Sequence, residues 1–161
     1  MFDPRLETAT SAEWPPPPCD ATGRGGYTPT RYAVARRNVS LSTLAEAIRR
    51  SWSGETSAEA AWVADRPSVG QCAVTALVVQ DYLGGDLVRA IVGGVSHYWN
   101  RLPDGTTVDL TRDQFTSFQP VDIGLRAREY VMSFPETTLR YRILADRTLS
   151  NLMMESAGVG T

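Results

Sequence analysis

One stretch in the middle of the chain restricts the fold more than any other part of the sequence. From about Gln71 to Leu83, apolar residues cover more than half the circumference of a helix, at Ala73, Val74, Ala76, Leu77, Val78 and Leu83. Gly84 and Gly85 follow, and glycine commonly ends a helix because it adopts left-handed backbone angles without strain. A helix that is apolar on most sides is buried, so the sequence predicts a central helix on which other elements pack.

The segments on either side of this helix predict an α+β fold. In Ser40–Arg49, apolar side chains recur at helical spacing, and Ser40 or Ser42 can cap the helix. Apolar and β-branched runs separated by glycine predict an antiparallel sheet after the central helix. We expect further helices over 57–63 and 138–148, strands over 87–92, 96–102, 106–111 and 126–134, and a loop or short helix from Arg112. Helices followed by antiparallel strands are typical of α+β domains.

The length of 161 residues suits one domain with a core of its own. Residues 1–38 combine Trp14–Pro18 with Thr22–Gly26, and proline and glycine at this density disfavour regular structure. We therefore expect a flexible Pro/Gly-rich tail over 1–38, a single catalytic domain over 39–150 and a flexible C-terminus over 151–161. The tail is either a plain leader or docking strap, or a polyproline ligand for a protein partner.

Composition excludes several classes of function. A formal net charge of −2 provides no electrostatic surface for nucleic acid or an anionic membrane. No apolar run approaches the roughly 20 residues that span a bilayer. All 16 cationic side chains are arginine, which excludes a lysine nucleophile or Schiff base. The N-terminus lacks the pattern of a signal peptide, and Cys19 and Cys72 are expected to be free thiols of a cytoplasmic protein.

The chain contains one histidine, and it lies between a cysteine and an aspartate with which it can share a reaction. Cys72 precedes His97, and Asp109 follows in the next predicted strand. A thiol nucleophile needs a base near neutral pH, which histidine provides, and an aspartate can orient the imidazole. The three residues offer at most three metal ligands without paired Cys/His spacing, so neither a metal nor another cofactor is expected. Cys19, in the tail, is expected to be an ordinary thiol.

The turn after His97 decides whether its side chain can reach Asp109. A two-residue loop, Asp104-Gly105, would place the two side chains on opposite faces of the sheet. A three-residue loop, Pro103–Gly105, pairs residue 102 with 106 and makes them diagonal neighbours on one face, roughly 7–8 Å apart. Pro-Asp-Gly suits a type I turn followed by a left-handed glycine. The sequence therefore predicts that one His97 ring nitrogen contacts Asp109 and that the other lies within about 4 Å of the Cys72 sulfur.

Cys72 falls in the first turn of the central helix, where unpaired N–H groups and the helix dipole favour a thiolate. The same N–H groups can donate to the oxyanion of a tetrahedral intermediate. Gln71 can add a side-chain amide, and Gly70 can let a substrate approach the backbone closely. Each residue alone also has a structural explanation, as a buried cysteine, a hydrogen-bonded histidine or an outward-facing aspartate.

Several stretches resemble the YunG-like family of bacterial proteins over about residues 40–148. They are Trp52-Ser53, Gly70–Tyr82, Gly84-Gly85, His97–Asn100, Asp104-Gly105, Val108–Arg112, Gln114-Phe115 and Arg140-Tyr141. More distantly, the order of a cysteine at a helix start, a His-x-Trp strand and a Val-Asp-Leu-Thr strand is similar to transglutaminase-like members of the papain-like superfamily. That resemblance implies a papain-like core, and an acyl-transfer triad at Cys72, His97 and Asp109.

The chain also departs from true transglutaminases. The spacing from His97 to Asp109 is short, and the large accessory domains are missing. Without lysine, the protein cannot crosslink itself through lysine. Protein crosslinking is therefore not the expected reaction.

The sequence predicts a thiol-dependent acyl-transfer enzyme that acts on a small or peptidic substrate. Water as acceptor would make it an amidase or peptidase, and an amine would make it an amide-forming transferase. The alternatives are a non-catalytic binding or regulatory domain that keeps the fold, and a partner protein that acts through its proline-rich tail. Oxyanion and substrate contacts are expected from Gly70, Gln71, Trp52, Ser53, Tyr98, Trp99 and Asn100, although the aromatic residues among them are expected mainly to pack, with one or two lining an acyl pocket.

Overall fold

The structure is a computed structural model that describes residues 39–158. The tail predicted over 1–38, with Cys19, and residues 159–161 lie outside the described residues. Helix α1 (Leu41–Ser51) begins after Ser40, whose Oγ accepts a hydrogen bond from the backbone N–H of Thr43 at 3.1 Å. The expected cap is therefore confirmed. The apolar face of α1 is buried at Leu44, Ala45, Ala47 and Ile48.

The segment between α1 and the central helix consists of turns, so the helix predicted over 57–63 is wrong. Polar side chains in this segment bind the backbone directly. Ser57 Oγ accepts from the N–H of Glu59 at 2.9 Å, and Thr56 Oγ1 accepts from the N–H of Ser53 at 2.9 Å. Serine and threonine that bond to nearby backbone groups compete with helical hydrogen bonding, and here they hold a compact loop instead.

Helix α2 (Cys72–Leu83) is the predicted central helix. It ends at Gly84, which has a φ of 72°, as the glycine pair predicts. Its buried residues are Val74, Thr75, Ala76, Leu77, Val78, Val79 and Tyr82. Burying a valine or leucine side chain fully contributes roughly 1.5–3 kcal/mol, so α2 supplies much of the main core.

Four strands form one sheet in the order β3-β2-β1-β4, with every neighbouring pair antiparallel. The strands are β1 (Asp86–Val92), β2 (Val95–Arg101), β3 (Thr107–Val108) and β4 (Val121–Arg126). Asn100 of β2 faces α2, whereas His97 lies on the opposite face because side chains alternate along a strand. The helices and the antiparallel sheet confirm the α+β class.

The β2–β3 hairpin has the predicted three-residue turn. The N–H of Leu102 donates to Thr106 O at 2.8 Å, and the N–H of Gly105 donates to Leu102 O at 2.9 Å. Gly105 has a φ of 86°, the left-handed geometry that this turn requires. Asn100 pairs with Val108, so the predicted register is confirmed.

The predicted length of this strand, 106–111, is wrong, because β3 ends at Val108. Asp109 Oδ1 accepts from the N–H of Thr111 at 3.1 Å, which closes a local turn. That turn replaces the ladder hydrogen bonds that a longer strand would make. The short helix expected from Arg112 is present as a 3-10 helix over Arg112–Gln114.

The strand predicted over 126–134 is also wrong, since β4 ends at Arg126 and helix α3 (Arg128–Met132) follows. The guanidinium of Arg128 donates to the carbonyl of Leu77 in α2 at 3.1 Å and to Tyr141 Oη at 2.8 Å. These contacts draw the chain off the sheet and onto the helices. β4 lies at the edge of the described sheet.

The C-terminal helix α4 (Pro135–Gly158) is longer than the predicted 138–148 and continues past residue 150, where a flexible C-terminus was expected. Asn151 Nδ2 donates to Ala47 O at 3.3 Å and to Ser51 Oγ at 2.9 Å, both on α1. Leu152 is buried. These contacts with α1 stabilise the additional turns. Within residues 39–158, none of the helices has the length and apolarity needed to cross a membrane.

Candidate functional site

The short β3 strand leaves part of β2 accessible to other elements. β3 pairs only with Asn100 and Arg101, while β1 pairs with β2 along its whole length. On the β3 side, residues 96–98 therefore have no strand partner among the described residues. The first turn of α2 and the loop after β3 both contact this stretch, and His97 lies within it.

His97 is fully buried and is held by Asp109. His97 Nε2 lies 2.7 Å from Asp109 Oδ2, and the Asp109 side chain is 12% exposed. The other carboxylate oxygen, Oδ1, accepts from the N–H of Thr111 at 3.1 Å and from its hydroxyl at 3.3 Å. The contact predicted from the turn register is thus confirmed. Three hydrogen bonds fix the carboxylate that orients the imidazole.

Cys72 approaches His97 from the start of α2. It is a free, partly exposed cysteine, and its Sγ lies 3.9 Å from the backbone oxygen of Ser96. It lies near enough to the imidazole to raise the pKa of His97. The structure therefore brings Cys72, His97 and Asp109 into one site. Within residues 39–158 no side chain caps α2, because Gln71 at the N-cap position makes no capping hydrogen bond to the first-turn N–H groups.

Gln114 occupies the second nitrogen of the imidazole. Gln114 Nε2 lies 3.1 Å from His97 Nδ1 and donates to Thr111 O at 3.0 Å. Its Oε1 accepts from the N–H of Gly70 at 3.5 Å. Both ring nitrogens of His97 therefore have a protein partner, Asp109 on one side and Gln114 on the other.

Electrostatics around His97 favour its protonated form. Burial opposes the charged ring, but hydrogen bonds and charges from Asp109 and Cys72 outweigh burial and raise the pKa of His97 from 6.5 to about 9. The amide hydrogen of Gln114 acts in the opposite direction, because it binds Nδ1 only when that nitrogen carries no proton. The two effects oppose each other at His97, and the Gln114 contact fixes which nitrogen carries the lone pair when the ring is neutral.

Aromatic rings surround the remaining faces of the imidazole. The ring centroid of His97 lies 4.9 Å from Phe115, 5.6 Å from Phe118 and 5.6 Å from Trp99. The guanidinium of Arg112 stacks 3.8 Å from the ring centroid of Phe118. These rings help to bury His97, and low polarity around the ring strengthens a hydrogen bond to a charged group.

Three of the side chains expected to contact substrate are engaged inside the fold. Gln71 is fully buried, and its amide nitrogen donates to Ser53 O at 2.9 Å. Asn100 is 1% exposed and donates to a backbone carbonyl of α2 at 2.9 Å. Trp52 Nε1 donates to the hydroxyl of Thr75 at 2.9 Å. These bonds attach α2 to its surroundings and explain the three residues without a substrate.

Gly70 and Ser53 also have structural explanations that the sequence did not suggest. Gly70 has a φ of 73°, and a Cβ there would lie 2.4 Å from Ser57 Oγ and 2.7 Å from the backbone N of Glu59. It is therefore glycine because its own chain passes close by, rather than because a substrate does. Ser53 Oγ accepts from Arg147 at 2.7 Å, which ties the loop to α4.

Tyr98 and Trp99 lie on opposite faces of β2. Tyr98 is half-buried at the border of the main core, where burial raises its pKa. Trp99 is 9% exposed and packs beside His97. A shallow cavity of about 350 Å³ adjoins Asp109, and Arg49, Leu110, Arg112, Asp113 and Phe115 also line it. Cys72 is not among its lining residues, so this cavity is not an acyl pocket around the thiol.

The sequence analysis did not identify Gln114, Phe115 or Phe118 as site residues. All three follow the turn at Asp109, and they reach His97 only because β3 ends early and the loop folds back over the sheet. The available signals were a polar residue close behind Asp109 and the Gln114-Phe115 pair, which lies among the stretches that resemble the YunG-like family. Among residues 39–158 there is no group of three His, Cys, Asp or Glu side chains that could hold a metal ion.

Comparison with known proteins identifies one family. A family model described as YunG protein matches residues 40–153. The chain is 40% identical over 68 residues to a Bacillus subtilis (strain 168) protein named "Uncharacterized protein YunG". That match covers 42% of this chain and 56% of the relative, so the chain spans about half the length of the curated relative it matches. No solved structure matches the chain. The matched region includes α1, α2, the sheet and the whole candidate site, and the chain belongs to the YunG family.

Proposed function

We propose that this protein is a thiol-dependent acyl-transfer enzyme in which Cys72 is the nucleophile, His97 the base and Asp109 the residue that orients the imidazole. The observation that carries the proposal is the arrangement around His97. A buried imidazole binds a carboxylate through Nε2 at 2.7 Å and interacts with the free thiol at the start of α2. A nucleophile, a base and a residue that orients the base are the parts that thiol acyl transfer needs.

The reaction starts with attack by the Cys72 sulfur on a substrate carbonyl carbon. The S–C bond forms while the thiol proton passes to His97, which then gives it to the leaving amine or alcohol as that C–N or C–O bond breaks. Water or an amine next attacks the thioester, loses its proton to His97 and releases the acyl product from sulfur. His97 returns the proton to Cys72. Asp109 retains its negative charge throughout and stabilises the imidazolium.

The start of α2 supports the second requirement, which is stabilisation of the tetrahedral oxyanion. The first-turn N–H groups lack a side-chain cap, and the positive end of the helix dipole lies at Cys72. Backbone donors fixed in this way stabilise developing negative charge more effectively than water does. We assign the oxyanion contacts to these backbone groups, because the Gln71 amide is already bonded to Ser53 O.

The order of these elements along the chain also supports a more specific proposal about the fold, the substrate class and the cellular location. A cysteine at a helix start, a histidine on a strand and an aspartate after it resemble the transglutaminase-like branch of the papain-like superfamily. We propose a papain-like core, a small or peptidic acyl substrate and a cytoplasmic location, where Cys72 would stay reduced. We also propose a protein partner that binds the proline-rich tail.

Acyl trapping tests the proposal directly. The full chain is incubated with activated acyl esters, and its intact mass is followed together with peptide mapping. We expect a thioester on Cys72, no adduct in Cys72→Ala, and acylation slower by roughly 10²–10⁴-fold in His97→Ala, because general-base assistance contributes about that much. The chain has no lysine, so ε-amine acylation cannot obscure the result.

Cys19→Ala is the matched control and should acylate as the unmodified chain does. Amines that discharge the thioester faster than water would identify a transferase, whereas discharge independent of amine would identify a hydrolase. Equal labelling of Cys19 and Cys72, with no effect of His97→Ala, would contradict the enzyme proposal.

One observation favours a second function, a non-catalytic binding domain. His97 is fully buried, and both of its nitrogens have protein partners, as in a histidine that serves only to hold the fold. In that case Cys72→Ala would keep full biological activity with the native partner. The acyl-trapping experiment separates the two functions.

A further inference from the structure

The second nitrogen of His97 has a partner that the triad does not require. In a Cys-His-Asp arrangement, one ring nitrogen serves the carboxylate and the other serves the thiol. Here Gln114 Nε2 lies 3.1 Å from Nδ1, the nitrogen left over by Asp109. This contact connects the loop after β3 with the reactive ring, and nothing in the reaction described above accounts for it.

Hydrogen-bond donors and acceptors determine how the Gln114 amide is oriented. Thr111 O, 3.0 Å from Gln114 Nε2, is a carbonyl and can only accept, so the amide nitrogen must face it. The N–H of Gly70 can only donate, so the amide oxygen must face Gly70. Both neighbours therefore require the same orientation, and that orientation points an amide hydrogen at His97 Nδ1.

We propose that Gln114 is a positioning residue that favours the neutral form of His97, with the proton on Nε2 and the lone pair on Nδ1. Asp109 accepts the Nε2 proton, and Gln114 donates to Nδ1, so the two partners specify one tautomer. Asp109, Thr111 and Gln114 form a connected chain of hydrogen bonds around the ring. The effect on the ring is independent of the proposed function, whereas its catalytic consequence rests on it.

The catalytic consequence is that one of the two partners of His97, Asp109 or Gln114, must release its ring nitrogen. His97 must expose a lone pair before it can take the proton of Cys72. The Asp109 bond is short, at 2.7 Å, and involves a charge, whereas the Gln114 bond is longer and neutral. Gln114 is therefore the partner that gives way, and Nδ1 is the nitrogen that serves Cys72. By binding Nδ1, Gln114 opposes protonation of that nitrogen and favours the form of the ring that acts as a base.

A few charged groups lie near the imidazole ring of His97. Asp109 and Cys72 are the titratable groups that interact with His97. The other packed side chains are the rings of Trp99, Phe115 and Phe118. Arg112 stacks on the ring of Phe118, and Arg66 donates to the backbone oxygen of Gln114 at 3.3 Å.

Nuclear magnetic resonance of the single histidine tests the inference. Nitrogen-15 labelling of histidine gives signals from one imidazole only, so the tautomer and pKa of His97 are read without assignment. We expect Nδ1 to be the unprotonated nitrogen of the neutral ring. Gln114→Leu removes the amide donor and should raise the His97 pKa by roughly half to one unit, the size expected for one neutral hydrogen bond.

Two further variants keep the test decisive. Gln114→Glu preserves the size of the side chain and places a carboxylate at Nδ1, so it should raise the His97 pKa more than Gln114→Leu does. Gln119→Leu removes an exposed glutamine of the same loop and should leave the pKa unchanged. An unchanged or lowered pKa in Gln114→Leu, with the amide spectrum intact, would overturn the inference. If Gln114→Leu does not fold, failure of Gln114→Glu to raise the pKa would overturn it.

The same variants separate this inference from the proposed function. If the His97 pKa rises in Gln114→Leu but no thioester ever forms on Cys72, the inference stands and the enzyme proposal fails. If a thioester forms while the His97 pKa ignores Gln114, the enzyme proposal stands and the inference fails. When both hold, the pH profile of acylation in Gln114→Leu should shift to higher pH, because the His97 pKa is higher in that variant.

Discussion

At the scale of single residues, His97 is balanced between two protonation states. Asp109 and Cys72 favour the charged ring, while burial and Gln114 favour the neutral one. The pKa of a buried ionisable group is set by the sum of such opposing contributions. The protonation of His97 therefore contributes to the stability of the whole fold, and that contribution is measurable.

Stability should fall as the pH rises through the titration of His97. Its pKa is about 9 in the fold against 6.5 for an ordinary histidine, so the contribution is fully present below pH 6.5 and lost as the pH passes about 9. The difference bounds the effect at about 3 kcal/mol. Denaturant unfolding at several pH values measures it. Asp109→Asn removes the charge that favours the protonated ring and should flatten this slope, and an equal slope in that variant would refute the assignment.

At the scale of elements, the loop between α1 and α2 determines where Cys72 lies. Gly70 is the point where this loop passes close to itself, because Ser57 Oγ, Ala58 N and Glu59 N surround the space a Cβ would occupy. Its positive φ of 73° adds a second reason for glycine. The position of α2, and thus of the thiol, depends on this crossing.

Gly70→Ala should therefore destabilise the protein strongly. The new methyl group meets two backbone nitrogens within 3 Å as well as adopting a left-handed conformation, and we expect a loss of roughly 3 kcal/mol or more. Gly94→Ala is the matched control, since it also has a positive φ, of 85°, but nothing within 4 Å. It should cost only about 1 kcal/mol in the same denaturant titration. Equal losses in the two variants would contradict the steric explanation.

Local signals in the sequence predicted some elements and missed others for physical reasons. Pro103–Gly105 predicted both the turn and the register, because turn chemistry is short-range and proline and glycine restrict the backbone directly. The helix expected over 57–63 failed because Ser57 and Thr56 bind the backbone and compete with helical bonds. Gln114 was missed because its contact with His97 depends on how a loop folds back over the sheet.

At the scale of the whole molecule, α4 packs on both α1 and α2 and closes the main core. Leu144 and Ala145 are buried in its middle, and Leu152 near its end is 4% exposed. Arg147 binds Ser53 and Glu55, so the same helix also holds the loop that leads to Cys72. The packed core therefore extends beyond residue 150.

Leu152→Ala tests that extension. Removing a buried leucine side chain leaves a cavity and should cost about 2–5 kcal/mol of unfolding free energy. Met154→Ala is the matched control on the same helix, because Met154 is 73% exposed and surface changes usually stay within about 0.5 kcal/mol. Thermal or denaturant unfolding distinguishes them. Two small and equal effects would mean that the last turns of α4 do not belong to the folded core.

The edge strand β4 affects whether this domain aggregates at high concentration. β4 exposes Val121, Ile123 and Leu125, an apolar row on an edge strand that could template the growth of an ordered aggregate. Asp122, between Val121 and Ile123, has a charge and a φ of 53°, and the pairing of β1 with β4 shifts register between Arg89 and Ile91. An incoming strand would meet a kinked edge and an exposed carboxylate, so the irregularity of β4 acts as protection against stacking.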